Sequence, residues 1–236
     1  MVFEKLEERL ILKGNLALKT PLHIGSPKTE IDITQIDLPI LRDTQEQPYI
    51  PGSSLKGKVR SEAERIVRKE GLPVCTPPNT TAMCGSLKNS VDDLCICCKI
   101  FGTTGNNVSV ASKVRFRDAY PTEKIDKTLV RACIAMDRAT ESVAPGALYS
   151  IEAIPAGASF RFEVVAENLL PEQMKLLKAA LSSFADSGLG GSTSRGMGKI
   201  DLRLESATVR TAKFYLGQEE EQRFEEEEFE NWWAKI

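Results

Sequence analysis

Ten residues, Pro51-Gly-Ser-Ser-Leu-Lys-Gly-Lys-Val-Arg60, put a turn, a helix start and a cationic first turn in direct succession. Pro51-Gly52 punctuates the backbone, and Ser53 or Ser54 is expected to accept a hydrogen bond from the free amides of the helix that follows. Helical spacing then runs over 53–70, with Leu55, Val59, Ala63, Ile66 and Val67 on the inner face and Gly71 at the end. Free amides and the helix dipole favour an anion at this end, and Lys56, Lys58 and Arg60 strengthen that preference. The expected ligand is a phosphate or a chain of phosphates.

A second basic, glycine-rich segment, Gly188-Leu-Gly-Gly-Ser-Thr-Ser-Arg-Gly-Met-Gly-Lys199, points to the same partner. It fails as a Walker A loop, because Thr193 stands where the first glycine belongs and Ile200 follows Lys199. It fails as a dinucleotide fingerprint for the same residue, Thr193, at the third glycine position. What remains is a loop exposing backbone amides together with Gly190, Gly191, Ser192, Ser194 and Arg195, able to lie close against a sugar–phosphate backbone. A plain turn between helix and strand is the competing reading.

Along the rest of the chain, residues 8–20 alternate as a half-buried strand, with Leu10, Leu12, Leu16 and Leu18 facing one way. Residues 21–50 read as a long loop with extended pieces, and loops of this length are usually functional. A cysteine-rich insertion covers 72–102, a strand is expected over 108–117, and 119–147 is a charged excursion. Tyr149–Ile154 and Phe160–Val164 are expected to form a hairpin across Pro155-Ala-Gly-Ala. Pro171 opens a second helix carrying Met174, Leu177, Leu181 and Phe184, a strand closes the body over 199–210, and an acidic helix ends the chain. The order β-α-β-β-α-β makes an α+β, ferredoxin-like core of the kind found in RNA-recognition modules. One domain over 1–213, with insertions at 21–50, 72–102 and 119–147, is expected to be followed by a tail over 214–236.

The overall net charge of −2 conceals an asymmetry. Residues 219–230 hold eight Glu and one Arg, which leaves 30 basic against 25 acidic residues in the rest of the chain. A mildly basic body with an acidic tail suits a protein that handles polyanions, and a solvated helix face is the alternative. With no 18-residue apolar run and no signal-peptide layout, a soluble cytoplasmic protein without membrane contact is expected.

Five of six cysteines fall between Cys75 and Cys98, a clustering that in a reducing compartment favours metal over disulfides. Cys95-x-x-Cys98 supplies two thiolates, and Cys75 and Cys84 complete a tetrahedron suited to structural Zn²⁺, with Cys97 a rival for Cys98. Cys133 reads as a small buried hydrophobe. His23 is the only histidine, which weighs against histidine-based acid–base or nucleophilic schemes. It is either satisfied by local hydrogen bonds or in contact with ligand. Asp32, Asp37 and Asp43 lie in the long loop, and Asp37 is flanked by Ile36 and Leu38-Pro39 rather than by other charges. A carboxylate fixed there can ligate Mg²⁺ or assist attack by a ribose 2′-hydroxyl, although a loop-capping aspartate is the simpler reading. Arg131 and Arg138 in the excursion either clamp nucleotides or form ion pairs, Arg138 beside Asp137.

Seven ordered motifs carry a resemblance. Leu22-His-Ile-Gly25, Ile36-Asp-Leu-Pro39, Ile50–Arg60, Cys95–Gly102, Phe116-Arg-Asp-Ala119, Met136-Asp-Arg-Ala-Thr140 and Gly188–Lys199 together resemble the RAMP superfamily. Within it the chain is similar to the backbone subunits, Csm type, of type III CRISPR effector complexes. The resemblance spans roughly 8–210.

It implies a modified RNA-recognition fold that stacks with further copies of itself along a guide RNA, beside other type III effector subunits. His23, Ser53, Ser54, Lys56, Lys58, Arg60, Arg131, Arg138, Gly190, Gly191, Ser192 and Arg195 would hold RNA. The excursion at 119–147 would be a thumb that splays one nucleotide of the guide–target duplex. Asp37 would cut target RNA with Mg²⁺ or Mn²⁺, leaving a 2′,3′-cyclic phosphate and a 5′-hydroxyl. The alternatives are a guide-binding subunit without cleavage, and a guide-processing endoribonuclease. The acidic tail has no counterpart in the pattern, and zinc carries over only through Cys95 and Cys98.

Overall fold

The computed structural model describes residues 5–26, 36–144 and 146–236; the expectation concerning Asp32 lies outside them. The expected first strand is present as β1 (Glu8–Leu18). It pairs antiparallel with β7 (Ser159–Glu167) on one side and β8 (Ile200–Thr211) on the other. With β2 (Val114–Phe116) and β9 (Gln222–Glu225) the sheet order is β2-β7-β1-β8-β9. Leu10, Leu12, Leu16 and Leu18 are buried on one face, opposite Phe160, Phe162 and Val164. A bulge after Lys13 shifts the register with β8 at Gly14, where a Cβ would lie 2.1 Å from the Arg203 carbonyl. Only glycine allows the strands to close there.

Two helices cover the leucine face: α1 (Gly52–Lys69) with Leu55, Val59, Ala63 and Val67 buried, and α4 (Pro171–Ser187) with Leu177, Ala180, Leu181 and Phe184 buried. Each of the larger side chains among these contributes about 1.5–3 kcal/mol on removal from water before ordering costs are counted. Pro171 occupies the first position of α4 as expected, and the Gln173 side chain accepts from the Leu170 amide.

The start of α1 corrects one expectation. Its N-cap is Pro51, and neither Ser53 nor Ser54 caps it. The Gly52 amide instead donates to Asp118 Oδ1 at 2.7 Å. The anion predicted for this helix end is therefore first of all an internal carboxylate, a cap of a kind that contributes about 1 kcal/mol.

Two strands also differ from expectation. Residues 108–113 are not in the sheet: Val110 exchanges backbone hydrogen bonds with Thr103, and Val108 donates to Gly85. The alternation there reflects burial against the cysteine-rich insertion, and pairing with β7 starts only at the Lys113 carbonyl, with 114–116 as the strand. The 149–164 hairpin does not form either. β6 (Tyr149–Ala153) pairs with β3 (Leu129–Cys133) in a separate sheet. The 154–158 connection crosses to the main sheet, with Ile154 bridged to Leu22 and Gly157 bonded to Leu18. Beyond β3, β4 (Met136–Asp137) and β5 (Ser142–Val143) make the tip of the excursion.

Past β8, a short α5 (Ala212–Tyr215) leads to β9 and α6 (Glu226–Lys235). Phe229 of α6 is buried, and the Lys178 amine reaches the Trp233 carbonyl and ring. The C-terminal segment is thus more than the acidic helix expected: it extends both the sheet and the helix layer. None of the described helices is long and apolar enough to cross a membrane.

Candidate nucleic-acid interface

β6 is the hub on which His23, Asp37, Arg131 and the 188–199 loop converge. On one edge it carries β3, and along the other the 36–40 segment runs parallel to it, with Leu38 opposite Ile151. Leu38 donates to the Ser150 carbonyl and accepts from the Glu152 amide, both at 3.0 Å. This registration brings Asp37 against Ser150. The Asp37 amide donates to Ser150 Oγ at 2.9 Å, while the Ser150 amide and hydroxyl donate to Asp37 Oδ2 at 2.7 and 3.0 Å. Asp37 is solvent-exposed yet held by this ring of bonds, so its carboxylate has a defined direction.

The loop that carries Asp37 is clipped down by Glu152, which is buried. Its carboxylate accepts from the Ile40 amide, the Thr128 hydroxyl and the Arg42 guanidinium. Asp43 closes the adjoining turn by accepting from the Gln45 and Gln47 amides, the loop-capping role considered for these aspartates.

His23 and the glycine loop meet the same strand from its far end. The His23 Nδ1 lies 2.7 Å from the Glu152 carbonyl, and the Gly191 amide donates to the His23 carbonyl at 2.9 Å. A Cβ on Gly190 would sit 2.4 Å from that carbonyl, and Gly190 has φ +80°, so the loop needs glycine to come this close. Arg195 reaches the Tyr149 hydroxyl at 2.6 Å. Through Glu152, Ser150 and Tyr149, then, β6 gathers His23, Asp37 and the 188–199 loop. His23 is buried and locally bonded, as the first of its two readings proposed. Ser192 is half-buried in a left-handed conformation.

The excursion rises from this hub. Arg131 stands opposite Ile151 on β3, and Arg138 is exposed in the turn that Asp137 caps through the Ala139 and Thr140 amides. Leu129, Val130, Ile134, Met136 and Val143 are all about half-exposed along it. Cys133 is not a core residue; it is half-buried and packs on Ile151, Ala153 and Met197.

The α1 residues are placed elsewhere, by the bonds of Ile50 and Gly52 to Ala119 and Asp118. Ser53 is exposed and Ser54 half-buried. Lys56 has its pKa lowered, first by burial and then by the neighbouring Arg60 charge. Lys58 is paired with buried Glu62 at 3.1 Å. Arg60, expected to hold RNA, turns inward: it pairs with Glu64, donates to the Gly102 carbonyl and lies 3.5 Å from Cys98 Sγ.

That cysteine belongs to a cluster in which the sulfurs of Cys75, Cys84, Cys95 and Cys98 all lie within 4.8 Å of one another. α2 (Cys84–Leu87) and the N-terminal end of α3 (Ile96–Phe101) supply three of them. Cys75 and Cys98 are 3.3 Å apart and Cys75 and Cys95 3.9 Å, against about 3.8 Å for thiolates around tetrahedral zinc. The hydrogen bond from Cys98 holds the Cys95 thiol down to about 4, and burial pushes Cys84 up to about 11. The donor set fits a closed, structural metal site. Cys97 is fully buried outside it, with burial raising its thiol to about 12, so Cys98 and not Cys97 joins the cluster.

Ser150, Tyr149, Glu152 and Asp118 are site residues that sequence reasoning did not single out. A glutamate between Ile151 and Ala153 in a strand was the available signal.

Comparison with known proteins places these features in context. The family model of the RAMP superfamily matches residues 15–201. The chain is 32% identical over 234 residues to the "CRISPR system Cms endoribonuclease Csm3" of Methanocaldococcus jannaschii, covering 94% of this chain and 90% of that protein. The Streptococcus thermophilus protein of the same name is 29% identical over 225 residues, with 89% and 92% covered. Among solved structures, a chain of the Csm3–Csm4 subcomplex in the type III-A CRISPR-Cas interference complex superposes with a TM-score of 0.59 at 29% identity, covering 98% of this chain and 97% of that one. The Methanopyrus kandleri Csm3 crystal structure has the same fold, with a TM-score of 0.59, 24% identity, and 89% and 80% covered.

Proposed function

The chain belongs to the RAMP superfamily, and we propose that it is a guide-RNA-binding backbone subunit of a type III CRISPR effector complex that cleaves guide-paired target RNA. The observation that carries this reading is the convergence on β6: Ser150 fixes Asp37, Tyr149 binds Arg195, and the Glu152 carbonyl holds His23 against the glycine loop. A strand-binding loop and a directed carboxylate thus share one support. Partners are the guide RNA, the target RNA, other type III subunits, and further copies of this chain in a filament.

The core is read as ferredoxin-like. The β2-β7-β1-β8 order with α1 and α4 on one face supports a split βαβ arrangement. The excursion over 119–147 is the thumb, supported by its exposed apolar side chains, since an apolar wedge separates stacked bases at modest cost. Ser53, Ser54, Lys56, Gly190, Gly191, Ser192 and Arg195 hold guide phosphates, and Lys58 contributes its remaining field beyond Glu62. Arg131 and Arg138 reach the duplex from the thumb, while Arg60 serves the cysteine cluster, which holds structural Zn²⁺.

Cleavage is read as in-line attack at a splayed nucleotide. The ribose 2′-oxygen bonds to the adjacent phosphorus as the bond to the 5′-oxygen breaks. The 2′-proton passes to a base and the departing 5′-oxygen gains a proton, giving a 2′,3′-cyclic phosphate and a 5′-hydroxyl. One exposed carboxylate fits Mg²⁺ or Mn²⁺, which takes one or two carboxylates with substrate phosphates. When bound at Asp37, the ion supplies electrostatic stabilisation of the reacting phosphate. Ser150 orients Asp37 toward the strand, and the thumb unstacks the nucleotide so that a regular A-form geometry does not block attack.

Guide binding is tested by salt titration of the full chain. Lys56→Ala and Arg195→Ala are each expected to reduce the slope of log affinity against log salt by about 0.7–1, one phosphate apiece. Slopes identical to wild type in both folded variants would remove these residues from the interface.

A further inference from the structure

The sheet face opposite α1 and α4 carries a repeated charge pattern. Glu167 lies between Arg9 and Arg115, both at 2.7 Å, and Glu163 between Lys13 and Arg117, at 4.0 and 3.6 Å. Asp201 lies between Lys19 and Arg203, at 3.1 and 3.2 Å, and Glu221 between Arg210 and Arg223. Each carboxylate is thus bridged by two cations, at least one of them from a neighbouring strand or its extension, and each trio keeps one net positive charge. The carboxylates are the recessed members: the Glu167 side chain is 7% exposed and that of Glu221 14%, against 61% for Arg117 and 76% for Arg203. What this face presents outward is a cationic layer.

We infer that this face docks a second copy of the chain through the exposed glutamates of that copy's α6, Glu226, Glu227, Glu228 and Glu230. The inference rests on the filament reading above and adds the surfaces that would meet. The complementary charge is present in the same chain, with Glu226, Glu227, Glu228 and Glu230 all exposed on α6. These glutamates are held rigidly, because Phe229 is buried and Trp233 lines a groove with Leu181, Leu202 and Leu204.

The α6 glutamates of one copy cannot reach that copy's own cationic face. Leu202 is opposite the buried Leu16, so α6 lies on the helix side of the sheet while the cationic trios lie on the other. A contact between two unlike patches of successive copies leaves one patch of each kind open at either end, which propagates as a filament unless the rotation closes. A nucleic-acid strand is a poorer occupant: its continuous phosphates would cross four fixed carboxylates, whereas separate glutamates can seat between them.

The test is sedimentation velocity of the full-length chain, alone and with guide RNA, alongside RNA affinity. The triple variant E226K/E227K/E228K and the face variant R117E/R203E are each expected to weaken self-association about tenfold or more. In the chain carrying both sets of changes the Glu163 and Asp201 trios are net negative and positions 226–228 positive, and association is expected to recover in part. Wild-type assembly unaffected by either set overturns the docking proposal alone. Loss of RNA affinity with intact assembly in R117E/R203E would make the face an RNA surface and overturn it as well. A wild-type chain that stays monomeric with and without guide RNA would instead sink the filament reading, and this interface with it.

Discussion

Asp37→Ala is expected to lower target RNA cleavage by about 10²–10⁴-fold, with guide and target still bound. The geometry separates charge from architecture, because Ser150 contacts Asp37 through the backbone as well as the carboxylate. Asp37→Asn keeps an oxygen in position to accept from Ser150 but loses the negative charge that holds a divalent cation. It is therefore expected to lose cleavage as fully as the alanine variant while melting at the wild-type temperature. Single-turnover rates on the assembled complex, with target affinity measured in parallel, decide the matter. Loss of binding in the asparagine variant would make Asp37 an architectural residue. Cleavage that survives either change would move the chemistry to another group.

The second large effect concerns the cysteine cluster. Apparent binding energies for structural zinc are on the order of 10–16 kcal/mol, larger than the whole stability of a typical domain. The purified chain is expected to carry one zinc per copy. Cys95→Ser is expected to bring that content close to zero and to lower the melting temperature by roughly 10 °C or more. The loss should spread to α1, since Arg60 spans Cys98, Gly102 and Glu64. Cys133→Ser, far from the cluster in sequence and outside it in the structure, should leave the metal content unchanged. Equal zinc in Cys95→Ser and wild type, measured by elemental analysis, would show that the thiols gather for packing alone.

Much of the fold was legible where one face of an element is uniformly buried. The leucines of β1 and the inner positions of α1 and α4 follow directly from period 2 and period 3.6. The misreadings share a cause. Val108 and Val110 alternate as strand residues do, yet their backbone partners are Thr103 and Gly85 rather than a sheet neighbour. Tyr149–Ala153 and Ser159–Glu167 are genuine strands, but their pairing partners, β3 and β1, lie outside the local window. Register between distant segments leaves little trace in a single sequence, and the site depends on it. Asp37 could be picked out by its apolar flanks, whereas Ser150 became visible only once the 36–40 segment was laid along β6. Arg60 shows the reverse case: helical spacing aligned it with Lys56, while the cysteine insertion, folding back over α1, drew it inward.

The most direct test of the account is the size distribution of target RNA cut by the assembled complex, resolved at single-nucleotide length. Repeating subunits, each with one carboxylate beside one splayed nucleotide, predict a ladder of evenly spaced products ending in cyclic phosphate, which chelation of divalent cations abolishes. A single cut, irregular spacing, or chelator-resistant cleavage of repeat RNA by the isolated chain would contradict it.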